Sequence, residues 1–192
     1  NIDYTIVGPE GPLVDGIVDQ FEAAGLAIIG PNQAASQLEG SKQFSKEIMT
    51  KYNIPTASYD TFTDYDTAFT YIKLKNTYPI VIKADGLAAG KGVTVAHSEA
   101  DAQQALTACF IDHAFSQAGD TVVIESFLKG EEASIFAFCD GQTILPMSPA
   151  QDHKAAFDGD KGPNTGGMGA YSPAPVVTQA VQEKVMKQVF EP

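Results

Sequence analysis

A lysine inside an apolar strand, followed by a glycine-rich loop, is the strongest chemical signal in the sequence. Residues 79–96 read PIVIKADGLAAGKGVTVA, with Lys83 in the apolar run. The loop adds three glycines and a second lysine: Gly86, Gly90, Gly92 and Lys91. Small residues let backbone N–H groups approach an anion closely, and an unpartnered buried ammonium is costly. The segment therefore predicts a phosphate site, with a flexible glycine hairpin and a solvated lysine as the alternative.

Two well-known nucleotide motifs do not account for this loop. A Walker A loop has four residues between its glycines, a Ser or Thr after the Lys, and a helix next. Here three residues separate Gly86 from Gly90, Gly92 follows Lys91, and the next element reads as a strand. A Rossmann GxGxxG sequence is also absent from the chain.

A second candidate segment is VVIESFLKGEEAS at 122–134, in which Glu125 ends one predicted strand and Glu132 begins the next. A hinge between strands can offer backbone N–H and C=O groups to the edge of a base. A carboxylate further along can accept hydrogen bonds from a ribose. A charged hairpin with its carboxylates in solvent explains the same pattern equally well.

A third segment, QDHKAAFDGDKGPNTGGMGAYSPAP at 151–175, combines Asp152, His153 and Lys154 with several glycines. Such a loop can present N–H groups and polar side chains to a small substrate. A lone histidine is not evidence of catalysis, and a mobile acidic loop remains the alternative.

The elements around these segments alternate between strand and helix, which indicates an α/β chain. Residues 1–31 read as β-α-β, and Ser41 is a good N-cap for a helix carrying Phe44 and Ile48. Further strands are predicted at 58–62, 79–84, 93–96, 121–125 and 133–138, and helices at 64–74, 99–110 and 177–190. A hairpin turn is expected at Asp140, whereas 147–175 shows almost no periodicity.

Composition excludes several classes of protein. The 192 residues contain 12 lysines and no arginine against 24 acidic residues, a net charge of -12, which argues against nucleic-acid binding. No apolar run approaches the roughly 18 residues of a membrane span. Cys109 and Cys139 have no metal or disulfide spacing and are predicted to be buried thiols. A cytoplasmic protein is expected, and nothing in the sequence indicates an oligomeric state.

Several segments occur in an order that resembles one enzyme family. They are IGP at 29–31, LEGSKQFSK at 38–46, PIVIKADGLAAGKGV at 79–93, VIESFLKGEEAS at 123–134 and the QDHK to SPAP segment at 151–175. Together they look like phosphoribosylamine–glycine ligase, also called glycinamide ribonucleotide synthetase. The lysine and hinge segments are shared by ATP-grasp enzymes generally, whereas GPNTGGMGAYSP and GPE…PL at 8–13 are more specific to this ligase.

The resemblance implies an ATP-grasp fold preceded by the end of a Rossmann-like pre-ATP-grasp N-terminal domain. Residues 1–40 would end that domain, 41–55 would form a linking helix, 56–124 the lid subdomain, and 125–192 part of the central ATP-grasp domain. The implied reaction joins glycine to 5-phospho-β-D-ribosylamine, using ATP, through a glycyl phosphate. Another ATP-grasp carboxylate–amine ligase or a non-catalytic nucleotide-binding module remains an alternative.

The resemblance also assigns roles to individual residues. The catalytic group would comprise Lys83, Asp152, His153 and Lys154. ATP would be bound by Lys42, Lys83, Gly86, Gly90, Lys91, Gly92, Glu125, Leu128 and Glu132. The other substrates would meet Glu10, Pro163, Asn164, Thr165, Gly166, Gly167, Met168 and Gly169.

The sequence departs from the family pattern at three places. The opening strand with its glycine-rich segment is not in the chain, and no Glu-x-Asn pair for Mg²⁺ follows Tyr171. Ala155 stands where family members usually have arginine, which removes a bidentate anion clamp. We therefore expect the Mg²⁺ ligands outside these residues, and weak nucleotide binding without a complete ligase reaction by the 192 residues alone.

Overall fold

A computed structural model describes residues 2–88, 91–159 and 161–192. The chain divides into two compact units, the first formed by residues 1–51 and 56–127, the second by residues 52–55 and 128–192. In the described residues, no helix has both the length and the apolar character needed to cross a bilayer.

The first unit begins with the predicted β-α-β arrangement. Strands β1 (Thr5–Ile6) and β2 (Ile28–Ile29) pair in parallel, and helices α1 (Glu10–Val14) and α2 (Ile17–Ala23) lie between them. The sequence predicted one helix here, but Gly16 adopts a left-handed conformation with φ 82° and divides it into two.

Two helices connect this region to the main sheet. Helix α3 (Gln33–Gly40), which the sequence did not predict, begins where the Asn32 side chain accepts a hydrogen bond from Ala35 N. Helix α4 (Lys42–Lys51) follows, and Ser41 Oγ accepts a hydrogen bond from Phe44 N at 3.0 Å. The prediction of Ser41 as an N-cap is therefore confirmed.

The main sheet of the first unit has four strands, all antiparallel to their neighbours. Along the chain come β3 (Tyr59–Phe62), α5 (Tyr65–Lys75), β4 (Ile80–Ala84), β5 (Val93–Ala96), α6 (Glu99–Phe110) and β6 (Val122–Ser126). The strand order is β3-β6-β4-β5. Alternate side chains of β4 and β6, among them Ile82 and Ile124, join Ile72 of α5 and Leu106 of α6 in the core.

The second unit is built from two hairpins and a terminal helix. Strands β7 (Ala137–Cys139) and β8 (Ile144–Pro146) pair through the turn predicted at Asp140, whose Oδ1 accepts from Gln142 N and Thr143 N. Strands β9 (Gln151–Phe157) and β10 (Lys161–Tyr171) form the second hairpin. Helix α7 (Gln179–Val185) continues into a π-helical turn at Met186–Phe190.

Two expectations about this unit were wrong. Residues 147–175 were expected to lack regular structure, but β9 and β10 lie within them; three glycines of β10 have positive φ and the register shifts twice, so no alternating pattern marks the strand. Cys139 is exposed rather than buried, because it lies on a two-stranded hairpin, whereas Cys109 is buried in the core as predicted. Burial raises the pKa of the Cys109 thiol.

Candidate functional site

The carboxylate of Glu125 lies between two lysines at the centre of the first unit. Lys83 Nζ lies 3.0 Å from Glu125 Oε1, and Lys46 Nζ lies 3.3 Å from Oε2. Only 7% of the Glu125 side chain is exposed, against 27% for Lys83. The ion pair with Lys83 lacks the angle of a hydrogen bond, and within the described parts of the chain no donor satisfies Oε1.

The register of the sheet explains why Lys83 and Glu125 meet. Val81 pairs with Glu125 and Lys83 with Val123 across β4 and β6. Lys83 and Glu125 therefore occupy diagonal positions on one face, within reach of long side chains. Their neighbours Ile82 and Ile124 point to the opposite face and into the core.

Lys46, which the sequence did not single out, is the most buried charged side chain of this cluster after Glu125. Its ammonium donates to Thr56 Oγ1 at 2.6 Å and to Ala57 O at 3.5 Å, and it lies 5.4 Å from the centre of the Tyr59 ring. One sequence signal could have found it. Lys46 follows Lys42 by four residues, so the two share a face of α4.

Lys42 and Asp85 join the start of α4 to the end of β4. Lys42 Nζ donates to Gly86 O at 2.7 Å, and the Asp85 carboxylate accepts from Gln43 N at 2.9 Å and from Ser41 Oγ at 3.0 Å. Burial lowers the pKa of the Lys42 ammonium below its usual 10.5, while Asp85 offsets part of this effect. Lys42 also interacts electrostatically with Lys83 and Glu125, so these groups form one cluster.

The glycine-rich loop requires glycine at two of its described positions. Gly86 has φ +86°, a left-handed conformation that side chains disfavour. A Cβ on buried Gly92 would lie 2.8 Å from Ala88 Cβ and 3.2 Å from Ala84 Cβ, too close for either neighbour. Lys91 is exposed at the turn, and the prediction for Gly90 lies outside the described residues.

The remaining site predictions fall mainly in the second unit. Asp152 pairs with Ala170 and His153 with Gly169 across β9 and β10. The exposed His153 ring lies 5.4 Å from that of Tyr171, whose hydroxyl donates to Gln151 Oε1. The hairpin thus brings Asp152 and His153 beside the end of the glycine-containing strand β10 in the same unit.

Other residues of this set are placed as follows. Lys154 belongs to β9, and Pro163, Asn164, Gly166 and Met168 belong to β10. Thr165 Oγ1 accepts from Gly167 N at 3.1 Å. Leu128 and Glu132 are exposed in the second unit, and exposed Glu10 begins α1 in the first. No metal-binding cluster of His, Cys, Asp or Glu occurs among the residues described.

The central cluster fits a phosphorylated ligand with a hydrogen-bond donor. Lys46 and Lys83 place two ammonium groups on the single carboxylate of Glu125, which leaves one excess positive charge in this triad. The neighbouring Lys42 lies near two further carboxylates, those of Asp85 and Glu39. Glu125 Oε1 is buried and lacks a hydrogen-bond donor within the described chain, so it can accept one from a ligand. The arrangement can neutralise phosphate and accept from an amino group at the same time.

Comparison with known proteins identifies the family. A family model described as phosphoribosylglycinamide synthetase, ATP-grasp (A) domain, matches residues 40–192, and the N domain of the same synthetase matches residues 1–39. The chain belongs to the phosphoribosylglycinamide synthetase family. Its ATP-grasp fold, predicted from the sequence, is confirmed.

Individual relatives agree with this family. The phosphoribosylamine–glycine ligase of Yersinia pestis is 58% identical over 192 residues, which are 100% of this chain and 45% of that protein. The ligase of Vibrio cholerae is 56% identical over 191 residues, and this chain spans 44% of its length. The chain thus spans less than half the length of these curated relatives.

Solved structures support the same fold. The crystal structure of phosphoribosylamine–glycine ligase from Thermotoga maritima matches 97% of this chain and 46% of its own, with TM-score 0.76 and 33% identity. A D-alanyl-alanine synthetase from Vibrio cholerae matches 98% of this chain and 59% of its own, with TM-score 0.69 and 20% identity. At that identity the second likeness shows the fold alone.

Proposed function

We propose that this chain provides the ATP-binding part of a phosphoribosylamine–glycine ligase. Such an enzyme joins glycine to 5-phospho-β-D-ribosylamine and yields glycinamide ribonucleotide, ADP and phosphate in purine biosynthesis. Relatives with this name are 55–58% identical across the chain. The observation that carries the proposal is the cluster in which Glu125 lies between Lys46 and Lys83, with one positive charge in excess beside the glycine-rich loop.

The domains follow from the same proposal. Residues 1–40 would end the N-terminal domain, 41–55 would link it to the lid at 56–124, and 125–192 would form part of the central domain. The partners would be the small molecules ATP, glycine and phosphoribosylamine, without nucleic acid or membrane, and the location would be the cytoplasm. Mg²⁺ would neutralise phosphate charge when bound, through ligands outside these residues.

The reaction would proceed in two displacement steps. The glycine carboxylate attacks the γ-phosphorus of ATP, the bond to the β-phosphate oxygen breaks, and ADP leaves. The amine of phosphoribosylamine then attacks the carbonyl carbon of glycyl phosphate, loses a proton, and expels phosphate. Like charges oppose the first step, so positioning and electrostatic stabilisation are the main contributions required of the protein.

Specific groups of this chain would supply those contributions. Lys42 and Lys83 would neutralise the phosphates, and Glu125 Oε1 would accept a hydrogen bond from the adenine amino group. The N–H groups between Gly86 and Gly92 would cover the phosphates, since small residues leave the backbone accessible. Asp152, His153 and Lys154, with the segment from Pro163 to Gly169, would meet glycine and phosphoribosylamine.

The test compares Lys83→Ala with Lys73→Ala in a full-length protein containing this chain. Lys73 is an exposed lysine of α5 and is therefore a matched control. Losing a charge contact to phosphate costs about 2–5 kcal/mol, so Lys83→Ala should weaken ATP binding about 30-fold or more in calorimetry. Unchanged ATP affinity would contradict the phosphate role of Lys83.

The same protein tests the identity of the reaction. ATP consumption should require both glycine and phosphoribosylamine, and glycinamide ribonucleotide should form in equal amount to ADP. ATP consumption with another carboxylate and amine would favour a different ATP-grasp ligase. ATP binding without consumption in any combination would favour a binding module, and no ATP binding would overturn the nucleotide site.

A further inference from the structure

Lys46 has a buried ammonium group that contacts three polar groups of the first unit. Its three polar contacts are to Thr56 Oγ1, Ala57 O and Glu125 Oε2, and only 9% of its side chain is exposed. Two of these contacts are hydrogen bonds, and the third is an ion pair at 3.3 Å. Lys46 is therefore engaged with groups of the protein and has little access to a phosphate, in contrast to the more exposed Lys83.

The side chains of Lys46, Glu125 and Lys83 differ in how far they are buried. Lys83 is 27% exposed, whereas Glu125 and Lys46 are 7% and 9% exposed, so the carboxylate has one lysine on its buried side and one towards solvent. With Lys46 present, the Glu125 carboxylate is shared between two ammonium groups. Without Lys46, Lys83 would be its remaining cationic partner, so the carboxylate would hold Lys83 more strongly and compete with a phosphate for it.

We propose that Lys46 is a positioning residue that neutralises Glu125 from its buried side, so that Lys83 keeps its charge for the phosphates of a nucleotide. The inference rests on the proposed function, because it assumes that Lys83 meets phosphate. It assigns Lys46 an effect on phosphate affinity without any contact between Lys46 and the nucleotide.

The structure distinguishes this role from two simpler ones. A direct phosphate ligand would need access to solvent, whereas only 9% of the Lys46 side chain is exposed and its ammonium contacts Thr56, Ala57 and Glu125. A role of Lys46 in stability alone would not require a charged residue, because a buried ion pair often stabilises a protein no more than apolar side chains of similar size. The charge of Lys46, rather than its volume, is therefore the property to test.

The experiment measures the affinities of ATP, ADP and adenosine by calorimetry in the full-length protein. Lys46→Met and Lys46→Gln both remove the charge, and Gln keeps polar contacts in case Met prevents folding. We expect about tenfold weaker binding of ATP and ADP, and less than a twofold change for adenosine. Lys46→Arg should recover most of the affinity. Lys51→Met, at the exposed end of the same helix, is the control.

A double-mutant cycle with Glu125→Gln gives the decisive comparison. The Glu125→Gln substitution removes the carboxylate charge, so Lys46 has nothing to neutralise, and Lys46→Met should then change ATP affinity less than threefold relative to Glu125→Gln alone. Equal losses in the two backgrounds, or equal losses for adenosine and ATP, would overturn the proposal and leave Lys46 a structural residue. Failure of the unaltered protein to bind ATP would overturn the proposed function itself, and this inference with it.

Discussion

Asp85 should be a strong determinant of local stability, because it fixes the first turn of α4 to the end of β4. Its carboxylate accepts hydrogen bonds from Gln43 N at 2.9 Å and from Ser41 Oγ at 3.0 Å, across more than 40 residues of sequence. A hydrogen bond to a charged group contributes about 1.5–3 kcal/mol when buried. Since Asp85 is only half-buried, we expect Asp85→Ala to lower the free energy of unfolding by about 2–3 kcal/mol.

Two measurements test this value. Urea unfolding followed by circular dichroism should show a lower midpoint for Asp85→Ala than for the unaltered protein. Asp85→Asn should lower the free energy of unfolding by about half as much, because its amide oxygen still accepts one hydrogen bond. Hydrogen exchange of the Gln43 amide should accelerate in Asp85→Ala, while exchange in the core strand β4 changes less. Asp64→Ala, which removes the exposed cap of α5, is the control. A loss for Asp85→Ala no larger than that of Asp64→Ala would refute the reasoning.

Two further predictions concern packing and pH. Gly119→Ala should lower stability by about 1–3 kcal/mol in thermal unfolding, because its Cβ would lie 2.9 Å from the Cys109 carbonyl oxygen, whereas Gly8→Ala, with open space around it, should be close to neutral. Hydrogen bonds from the Thr67 hydroxyl and N–H hold the pKa of Asp64 below its usual 3.8. Its contribution is therefore complete above about pH 4 and is lost as pH falls through the lowered pKa, so the stability gap between the unaltered chain and Asp64→Ala should close towards pH 2. A gap that stays constant between pH 7 and pH 2 would contradict this assignment.

The sequence predicted most of the main sheet, because its elements have strong local patterns. The helix expected at 99–110 is observed as Glu99–Phe110, since Ser98 caps it and its apolar residues recur at helical spacing. The strand observed at Ile80–Ala84 was recognisable in the sequence as a short apolar, β-branched run, IVI, that begins after Pro79. Turn residues such as Asp140 also act locally, through their own backbone neighbours.

Other elements gave little local signal. Helix α3, with the sequence QAASQLEG, has too few apolar residues for a recognisable face, and only its Asn32 cap marks it. Strand β10 carries glycines at positive φ, which interrupt the alternation that identifies a strand. The contact between Lys46 and Glu125 depends on which strands pair and in what register, and a single sequence does not specify that.

The Lys83 ammonium has a carboxylate partner within the protein. From sequence, a lysine inside an apolar strand needed an anionic partner, and phosphate was the natural choice. The structure provides Glu125 as that partner, so burial of Lys83 alone does not require a ligand. The excess of lysines over carboxylates around Glu125 is the stronger reason to expect an anion, because a second cation already satisfies the same carboxylate. Affinity for phosphate at this site should therefore depend on Lys46 and Glu125 as well as on Lys83.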